Sequence, residues 1–167
     1  MIDKFIDTPA AAVADIHDGA TVLVSGFGGA GMPTELLHAL IEQGARELTV
    51  VSNNAGNHET GLAALIKAGR VRKVICSFPK ASHSWVFDDL YRRGGIELEC
   101  VPQGTIAERL RAAGAGLGGF FTPRPTAPNW PPARKPASSM AAAMYSRRRC
   151  TATSPWSRPI WPTAGAT

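Results

Sequence analysis

Three glycines in the segment Ser25–Gly31, spaced as Gly26-x-Gly28-x-x-Gly31, could place bare backbone N–H groups against a ligand. Because glycine has no Cβ, the backbone at these positions can approach an anion at contact distance. A helix predicted to begin near Pro33 adds partial positive charge at its N-terminus. This chemistry suits a bound phosphate or an oxyanion that forms during a reaction.

The same glycine spacing occurs in dinucleotide-binding folds, but the rest of their motif is missing. Such a fold needs an acidic residue at the end of the second strand to bind the ribose hydroxyls. The corresponding run here ends in Ser52, Asn53 and Asn54. The phosphate-binding loop of nucleoside triphosphatases needs a lysine, and residues 24–33 contain none. Both interpretations are therefore disfavoured.

Short apolar runs alternate with segments of helical periodicity over the first 123 residues. The runs predict strands over 20–26, 47–53, 71–77 and 96–101, and the other segments predict helices over 33–45, 60–69, 82–95 and 105–114. The expected core residues of the first helix are Leu36, Leu37, Leu40 and Ile41, and those of the third are Trp85, Leu90 and Tyr91. This alternation predicts an α/β fold with a mostly parallel sheet and helices on both faces.

Each predicted strand runs into a polar or glycine-rich loop. The loops are residues 26–31, 52–57, 77–83 and 102–105. Because the carboxyl ends of parallel strands lie at one edge of a sheet, we expect these loops to meet there, where ligands bind in such folds. We therefore place the functional site at this edge.

The charged residues are divided unevenly at Pro123. All 13 acidic residues precede it, whereas seven of the 18 basic residues, eight of the 13 prolines and three of the four tryptophans follow it. The net charge of +5 is thus a property of the tail, and we divide the chain into a domain at 1–123 and a basic tail at 124–167. Disorder is one interpretation of this tail. Binding of single-stranded nucleic acid through Arg147–Arg149 and the tryptophans is another, disfavoured one.

The cysteines Cys76, Cys100 and Cys150 lack the spacing of a metal or redox site. The first two belong to apolar strand-like runs, so we expect buried thiols in a reducing cytoplasm. Charged residues interrupt the N-terminus, and no apolar run approaches the roughly 20 residues of a membrane helix. We expect a cytoplasmic protein without a membrane, nucleic-acid or metal partner.

Several longer segments together resemble family I coenzyme A transferases. DGATVLVSGFGGAGMP, residues 18–33, is similar to the family signature, with Ser25 in place of its first glycine. SNNAGN, CSFPKASHSWVFDDLYRRGGIELE and VPQGTIAERLRAAGAG are similar to segments of one of the family's two subunits, the one without the nucleophile. The resemblance is continuous from about residue 2 to residue 123.

The resemblance implies a fold like that of CoA-transferases and sugar-phosphate isomerases, with its C-terminal part missing or irregular here. It implies transfer of CoA from succinyl-CoA to a 3-oxo acid, with 3-oxoadipate favoured and acetoacetate next, through a glutamyl-CoA thioester. The nucleophilic glutamate would lie on a partner, the glutamate-bearing subunit, so no residue of this chain is assigned as catalytic. CoA would be a substrate and not a permanently bound cofactor. The alternative is a non-catalytic module that binds a small molecule or phosphate.

The resemblance also assigns roles to residues at the predicted edge. The CoA-binding or oxyanion-forming loop would consist of Ser25, Gly26, Phe27, Gly28, Gly29, Ala30 and Gly31. Asn53, Asn54 and Gln103 would line the acyl pocket, and capping of their own loops is their other interpretation. Lys80 and His83 are candidates to bind the distal carboxylate of a dicarboxylic acid, or are simply exposed.

The residues after Pro123 depart from the family pattern in a way that codons explain. Residues 132–138, written as CCG GCA AGG AAA CCC GCG AGC, give Gly-Lys-Glu-Thr-Arg-Glu from the third base, which is the family's sequence at this point. Residues 125–130 and 150–165 permit further family segments in the same frame. We infer a frameshift between Pro123 and Pro125, which would leave the tail out of frame.

Overall fold

The computed structural model of the chain describes residues 5–81, 83–123 and 144–148, with the backbone alone in 121–123 and 144–148. The helices are α1 (Pro9–Val13), α2 (Thr34–Gln43), α3 (Leu62–Lys67), α4 (Trp85–Arg92) and α5 (Gln103–Gly114). The strands are β1 (Thr21–Leu23), β2 (Leu48–Val51), β3 (Val71–Cys76), β4 (Glu97–Cys100), β5 (Gly119–Pro123) and β6 (Met144–Arg148). Among the described residues, a first compact unit runs to Val101 and a second begins at Pro102.

The first unit is built on a parallel four-stranded sheet in the order β1-β2-β3-β4. Val22, Val50, Val74 and Leu98 are partners across its four strands. A helix separates each strand from the next, as parallel pairing requires. The predicted α/β fold is confirmed, and the loops that follow β1, β2 and β3 leave the same edge of the sheet.

The core of the first unit lies between the strands and the helices that connect them. In α2, Leu37 and Leu40 are fully buried, and Leu36 and Ile41 pack against the core from its margin. All four residues of β2 are buried, so both faces of this inner strand are covered, since successive side chains point to opposite faces. The predicted apolar face of α2 is thus confirmed.

The helix α2 ends where its sequence predicts. Gly44 adopts φ +97°, a left-handed conformation that favours glycine, and its N–H donates to the carbonyl of Leu40 at 3.3 Å. This C-terminal cap turns the chain back towards β2.

The core face of α4 differs from the one expected. Val86 and Phe87 are buried, whereas Trp85 and Tyr91 are each 48% exposed, so only Leu90 of the three predicted residues packs against the core. Tyr91 stacks on Phe87 with ring centroids 5.6 Å apart, which covers the buried ring from outside. With aromatic residues on both sides of a two-turn helix, periodicity did not identify the inward face.

The short helix α1 was not anticipated. The Thr8 hydroxyl oxygen accepts a hydrogen bond from the N–H of Ala11 at 3.1 Å, and Pro9 occupies the first turn, where a proline has no N–H to leave unpaired. Val13 at its end is completely buried. These local signals were present in the sequence and short enough to be overlooked.

The second unit contains α5 and an antiparallel pair of β5 with β6. Apart from β6, the predicted tail lies outside the described residues, as do Cys150 and the tail tryptophans, so the division at Pro123 and the frameshift stay predictions. No helix in the described part of the chain is long and apolar enough to cross a membrane.

Candidate functional site

The segment Ser25–Gly31 forms a small hairpin at the carboxyl end of β1. The backbones of Phe27 and Ala30 exchange hydrogen bonds of 3.0 and 3.1 Å, which leaves Gly28 and Gly29 at the tip. Gly28 adopts φ +65° and Gly29 lies outside the positive region, as in a type II′ turn. The Ser25 hydroxyl donates to the Gly31 carbonyl at 3.0 Å and closes the base of the hairpin. The serine that departs from the family signature thus has a structural partner.

The tip of this hairpin borders open space. A Cβ built on Gly28 or Gly29 meets no atom within 4 Å. Beside the two glycines lies a pocket of about 190 Å³. Its lining residues are Gly28, Gly29, Met32, Thr34, Asn57, His58 and Thr60. The pocket therefore lies between the loop that follows β1 and the loop that follows β2, at the predicted edge of the sheet.

Asn54 supports the hairpin from behind. Its side chain is buried, its Nδ2 donates to the carbonyl of Gly28 at 3.3 Å, and its Oδ1 accepts from the N–H of Gly56 at 2.8 Å. Both ends of the amide are thus used to fix the two walls of the pocket relative to each other. The structure therefore gives this residue a bracing position, and its role towards a substrate stays a prediction.

Asn53 joins the loops that follow β2 and β3. Its carbonyl accepts from the N–H groups of Ser77 and Phe78 at 3.2 and 3.1 Å, and its Nδ2 lies 3.4 Å from the Ser77 hydroxyl oxygen. Gln103 is the first residue of α5 and belongs to the second unit. The acyl-pocket roles of both residues stay predictions.

The second wall of the pocket is held by α4. The buried hydroxyl of Ser84 lies 2.9 Å from the carbonyl oxygen of Gly56 and 3.1 Å from Oδ1 of Asn57. The backbone N–H of His58 donates to the carbonyl of His83 at 2.7 Å. His58 adopts φ +54°, which is uncommon for a residue with a side chain. The loop that follows β2 is thus fastened to the start of α4.

Two histidines and a tryptophan form a cluster beside this wall. The rings of His58 and His83 stack with centroids 4.6 Å apart and an interplanar angle of 15°. Trp85 meets both rings edge-on, at 5.4 and 6.3 Å. The sequence singled out His83 but not His58, because 25 positions separate them and no local pattern connects them.

Lys80 is engaged elsewhere on the surface. Its Nζ forms an ion pair with Asp88 at 3.1 Å, and Arg92 contacts the same carboxylate oxygen at 2.9 Å. The other candidate for a distal carboxylate is therefore committed to α4.

Several glutamates of the described chain also form surface ion pairs. Glu97 pairs with Arg72, Glu99 with Lys73, Glu108 with Arg111 and Glu59 with Lys67. The hydrogen bonds from Lys67 and Arg111 lower the pKa of Glu59 and Glu108, respectively. Within the described residues, no group of three or more His, Cys, Asp or Glu side chains is placed to hold a metal ion.

The two cysteines of the sheet differ in exposure, although both were expected to be buried. Cys76 is fully buried, whereas its register partner Cys100 at the end of the edge strand β4 is exposed. Burial raises the pKa of the Cys76 thiol to about 12, with a smaller contribution from Cys100. The expectation of a buried thiol is therefore correct for Cys76 and wrong for Cys100, because an edge strand has no neighbour to cover it.

This difference predicts selective alkylation. Iodoacetamide at about pH 8 is expected to modify Cys100 of the folded chain at least about tenfold faster than Cys76, because the thiolate is the reactive form and a raised pKa suppresses it. Peptide mapping by mass spectrometry measures both rates, and the urea-unfolded chain is the control in which they converge. Equal modification in the folded chain would contradict the burial of Cys76.

Comparisons with known proteins agree with the signature at the glycine hairpin. Residues 6–146 match the model of the coenzyme A transferase family. The chain is 63% identical over 123 residues to one of the subunits of the 3-oxoadipate CoA-transferase of Pseudomonas putida, covering 74% of this chain and 53% of that protein. It is 44% identical over 120 residues to succinyl-CoA:3-ketoacid coenzyme A transferase 2, mitochondrial, of Homo sapiens, covering 72% and 23%.

A solved structure shares the fold. An acyl-CoA transferase of Escherichia coli O157:H7, YdiF, in a thioester complex with CoA, superposes with a TM-score of 0.60 and 29% identity, covering 69% of this chain and 25% of that one. The chain thus spans about half the length of the Pseudomonas putida protein and a quarter of this larger enzyme.

Proposed function

Because the chain belongs to the coenzyme A transferase family, we propose that it acts as the non-nucleophilic subunit of an enzyme that moves CoA from succinyl-CoA to a 3-oxo acid. The favoured acceptor is 3-oxoadipate, with acetoacetate next. The observation that carries this proposal is the side-chain-free tip at Gly28 and Gly29, which Asn54 braces beside a pocket at the carboxyl edge of the sheet. The partner would be a glutamate-bearing subunit in the cytoplasm, and the CoA thioester would be a substrate.

The proposed reaction places the nucleophile on the partner. A carboxylate oxygen of the partner's glutamate adds to the thioester carbonyl of succinyl-CoA, and the oxyanion then expels the CoA thiolate to leave a mixed anhydride. The thiolate attacks the glutamyl carbonyl and expels succinate, which forms the glutamyl-CoA thioester. The carboxylate of the 3-oxo acid reverses these two steps, leaves as its CoA ester and restores the glutamate.

The contribution of this chain follows from the weakness of that nucleophile. A carboxylate captures an acyl group only when it is well positioned and the oxyanion is stabilised. The backbone N–H groups of Ser25–Gly31 would donate to the oxyanion or to a phosphate of CoA, and they need no reorganisation because hydrogen bonds at both ends of the hairpin fix them.

Reconstitution tests the proposal. The chain alone is expected to transfer no CoA from succinyl-CoA to 3-oxoadipate, because the nucleophile is on the partner, whereas co-expression with a glutamate-bearing subunit is expected to yield a complex that does. Chromatography of the acyl-CoA products measures the transfer, and a complex in which glutamine replaces the partner's nucleophilic glutamate is the control. Turnover by the chain alone, or failure to co-purify with any glutamate-bearing subunit, would favour the non-catalytic binding module.

A further inference from the structure

The stacked pair of His58 and His83 has free hydrogen-bonding capacity at the pocket. His58 lines the pocket, and His83 lies against the outer face of its ring. Both side chains are exposed, and within the described part of the chain none of their ring nitrogens has a hydrogen-bond partner. A histidine ring donates at least one N–H, so the pair offers two or more donors at one place.

The positions of these rings are fixed by the backbone. The hydrogen bond of 2.7 Å from the N–H of His58 to the carbonyl of His83 links the two residues directly. Ser84 links their neighbours Gly56 and Asn57 to the start of α4, and Trp85 supports both rings edge-on. Donors held in this way lose little conformational freedom when they bind a ligand.

The surrounding charges favour an anion. The carboxylate of Asp88 is neutralised by Lys80 and Arg92, and that of Glu59 by Lys67, so neither faces the pair as an unpaired negative charge. The helix α4 begins immediately after His83, and the unpaired N–H groups of its first turn add positive potential there.

The pocket is suited to one end of a small acid. At about 190 Å³ it is smaller than the roughly 300–1,000 Å³ of sites that enclose a whole drug-sized ligand. Gly28 and Gly29 form one wall and His58 lies in the other. A short chain that reacts near the glycine tip would therefore place its far end beside the histidines.

From these observations we propose that His58 and His83 bind the distal carboxylate of a dicarboxylic 3-oxo acid and so select it over monocarboxylic acceptors. This inference rests on the proposed transferase function. Two charge-assisted hydrogen bonds to a carboxylate would give a preference of roughly 10- to 100-fold. A monocarboxylic acid leaves both rings to water and gains none of this preference.

The test uses substitutions that keep the stacked rings but remove their donors. In His58→Phe/His83→Phe both positions retain a flat aromatic ring beside Trp85. His38→Phe, at an exposed position of α2, is the matched control for the same chemical change. Circular dichroism and thermal melting establish that the variants are folded.

The first measurement is binding of adipate and hexanoate to the full chain, followed by the imidazole resonances in NMR spectra. Adipate is expected to shift the resonances of His58 and His83, and hexanoate is expected to shift them far less. In the double variant this preference for adipate should disappear, whereas the His38→Phe chain should keep it. Equal responses to the two acids in the wild-type chain would overturn the inference.

The second measurement is made in the complex with the glutamate-bearing subunit. The ratio of kcat/KM for 3-oxoadipate to kcat/KM for acetoacetate is expected to fall roughly 10- to 100-fold in the double variant and to stay constant in His38→Phe. An unchanged ratio in an active complex would overturn the histidine site but not the transferase. If the wild-type complex transfers no CoA, the transferase proposal fails, and the binding measurement alone decides the site.

Discussion

Gly28→Val is expected to lower the CoA-transfer turnover of the complex with the glutamate-bearing subunit by roughly 100- to 1,000-fold, the range found when one oxyanion-hole donor is removed. The Cβ position at Gly28 is open, and the residue borders the pocket at the tip of its hairpin. A β-branched side chain placed there would occupy the space through which a ligand reaches the backbone. Steady-state kinetics of the assembled complex, with assembly verified by size-exclusion chromatography, measures the loss.

Backbone strain must be separated from this blockage. Gly69 has nearly the same conformation as Gly28, with φ +68° against +65°, and its Cβ position is also open. It follows α3 and does not line the pocket. Gly69→Val therefore carries a similar conformational cost, about 1–2 kcal/mol for a left-handed residue, and is expected to keep its turnover.

A second variant tests the tip without strain. Gly29 lies outside the positive-φ region and its Cβ position is open, so Gly29→Ala adds a methyl group without a clash in the chain. Reduced turnover in Gly29→Ala would be due to the ligand, because the fold has no reason to change. If Gly28→Val is as active as Gly69→Val, the hairpin is only a turn and the proposed role of its N–H groups is wrong.

The sheet and its functional edge could be predicted because their signals are local. Apolar runs such as 47–53 and 71–77 are bounded by glycine and polar residues, and alternation with helices leaves parallel pairing as the simple solution. The glycine hairpin was located by its spacing, and the missing acid after β2 was enough to disfavour a dinucleotide site. These features need information from only a few neighbouring residues.

The second wall of the pocket could not be predicted because its contacts are long-range. Ser84 reaches the carbonyl of Gly56 across 28 positions, and His58 stacks on His83 across 25. No periodicity marks such pairs. The inward face of α4 was wrong for a related reason, since Trp85 is half-exposed where it supports the two histidines and a hydrophobic pattern treats it as core.

Gly56 determines whether this wall forms at all, and Gly56→Ala is expected to destabilise the chain severely. A Cβ at this position would lie 2.6 Å from the backbone nitrogen of Ala63 and 3.0 Å from its Cα. These are backbone atoms at the start of α3, so no side chain can rotate away to relieve the contact. The residue also has φ +84°, which adds strain for any residue other than glycine.

The expected loss in the free energy of unfolding is about 3 kcal/mol or more, because overpacking against a rigid neighbour adds to the strain. Gly19→Ala is the matched control, since Gly19 has φ +75° and an open Cβ position and would lose only about 1–2 kcal/mol. Urea unfolding followed by circular dichroism gives both values. The close approach of the loop after β2 to α3 also sets the position of Asn54, whose Oδ1 accepts from the Gly56 N–H. If the two alanine variants lose the same stability, that approach is looser than the structure has it, and the bracing of the glycine hairpin through Asn54 would have to be abandoned with it.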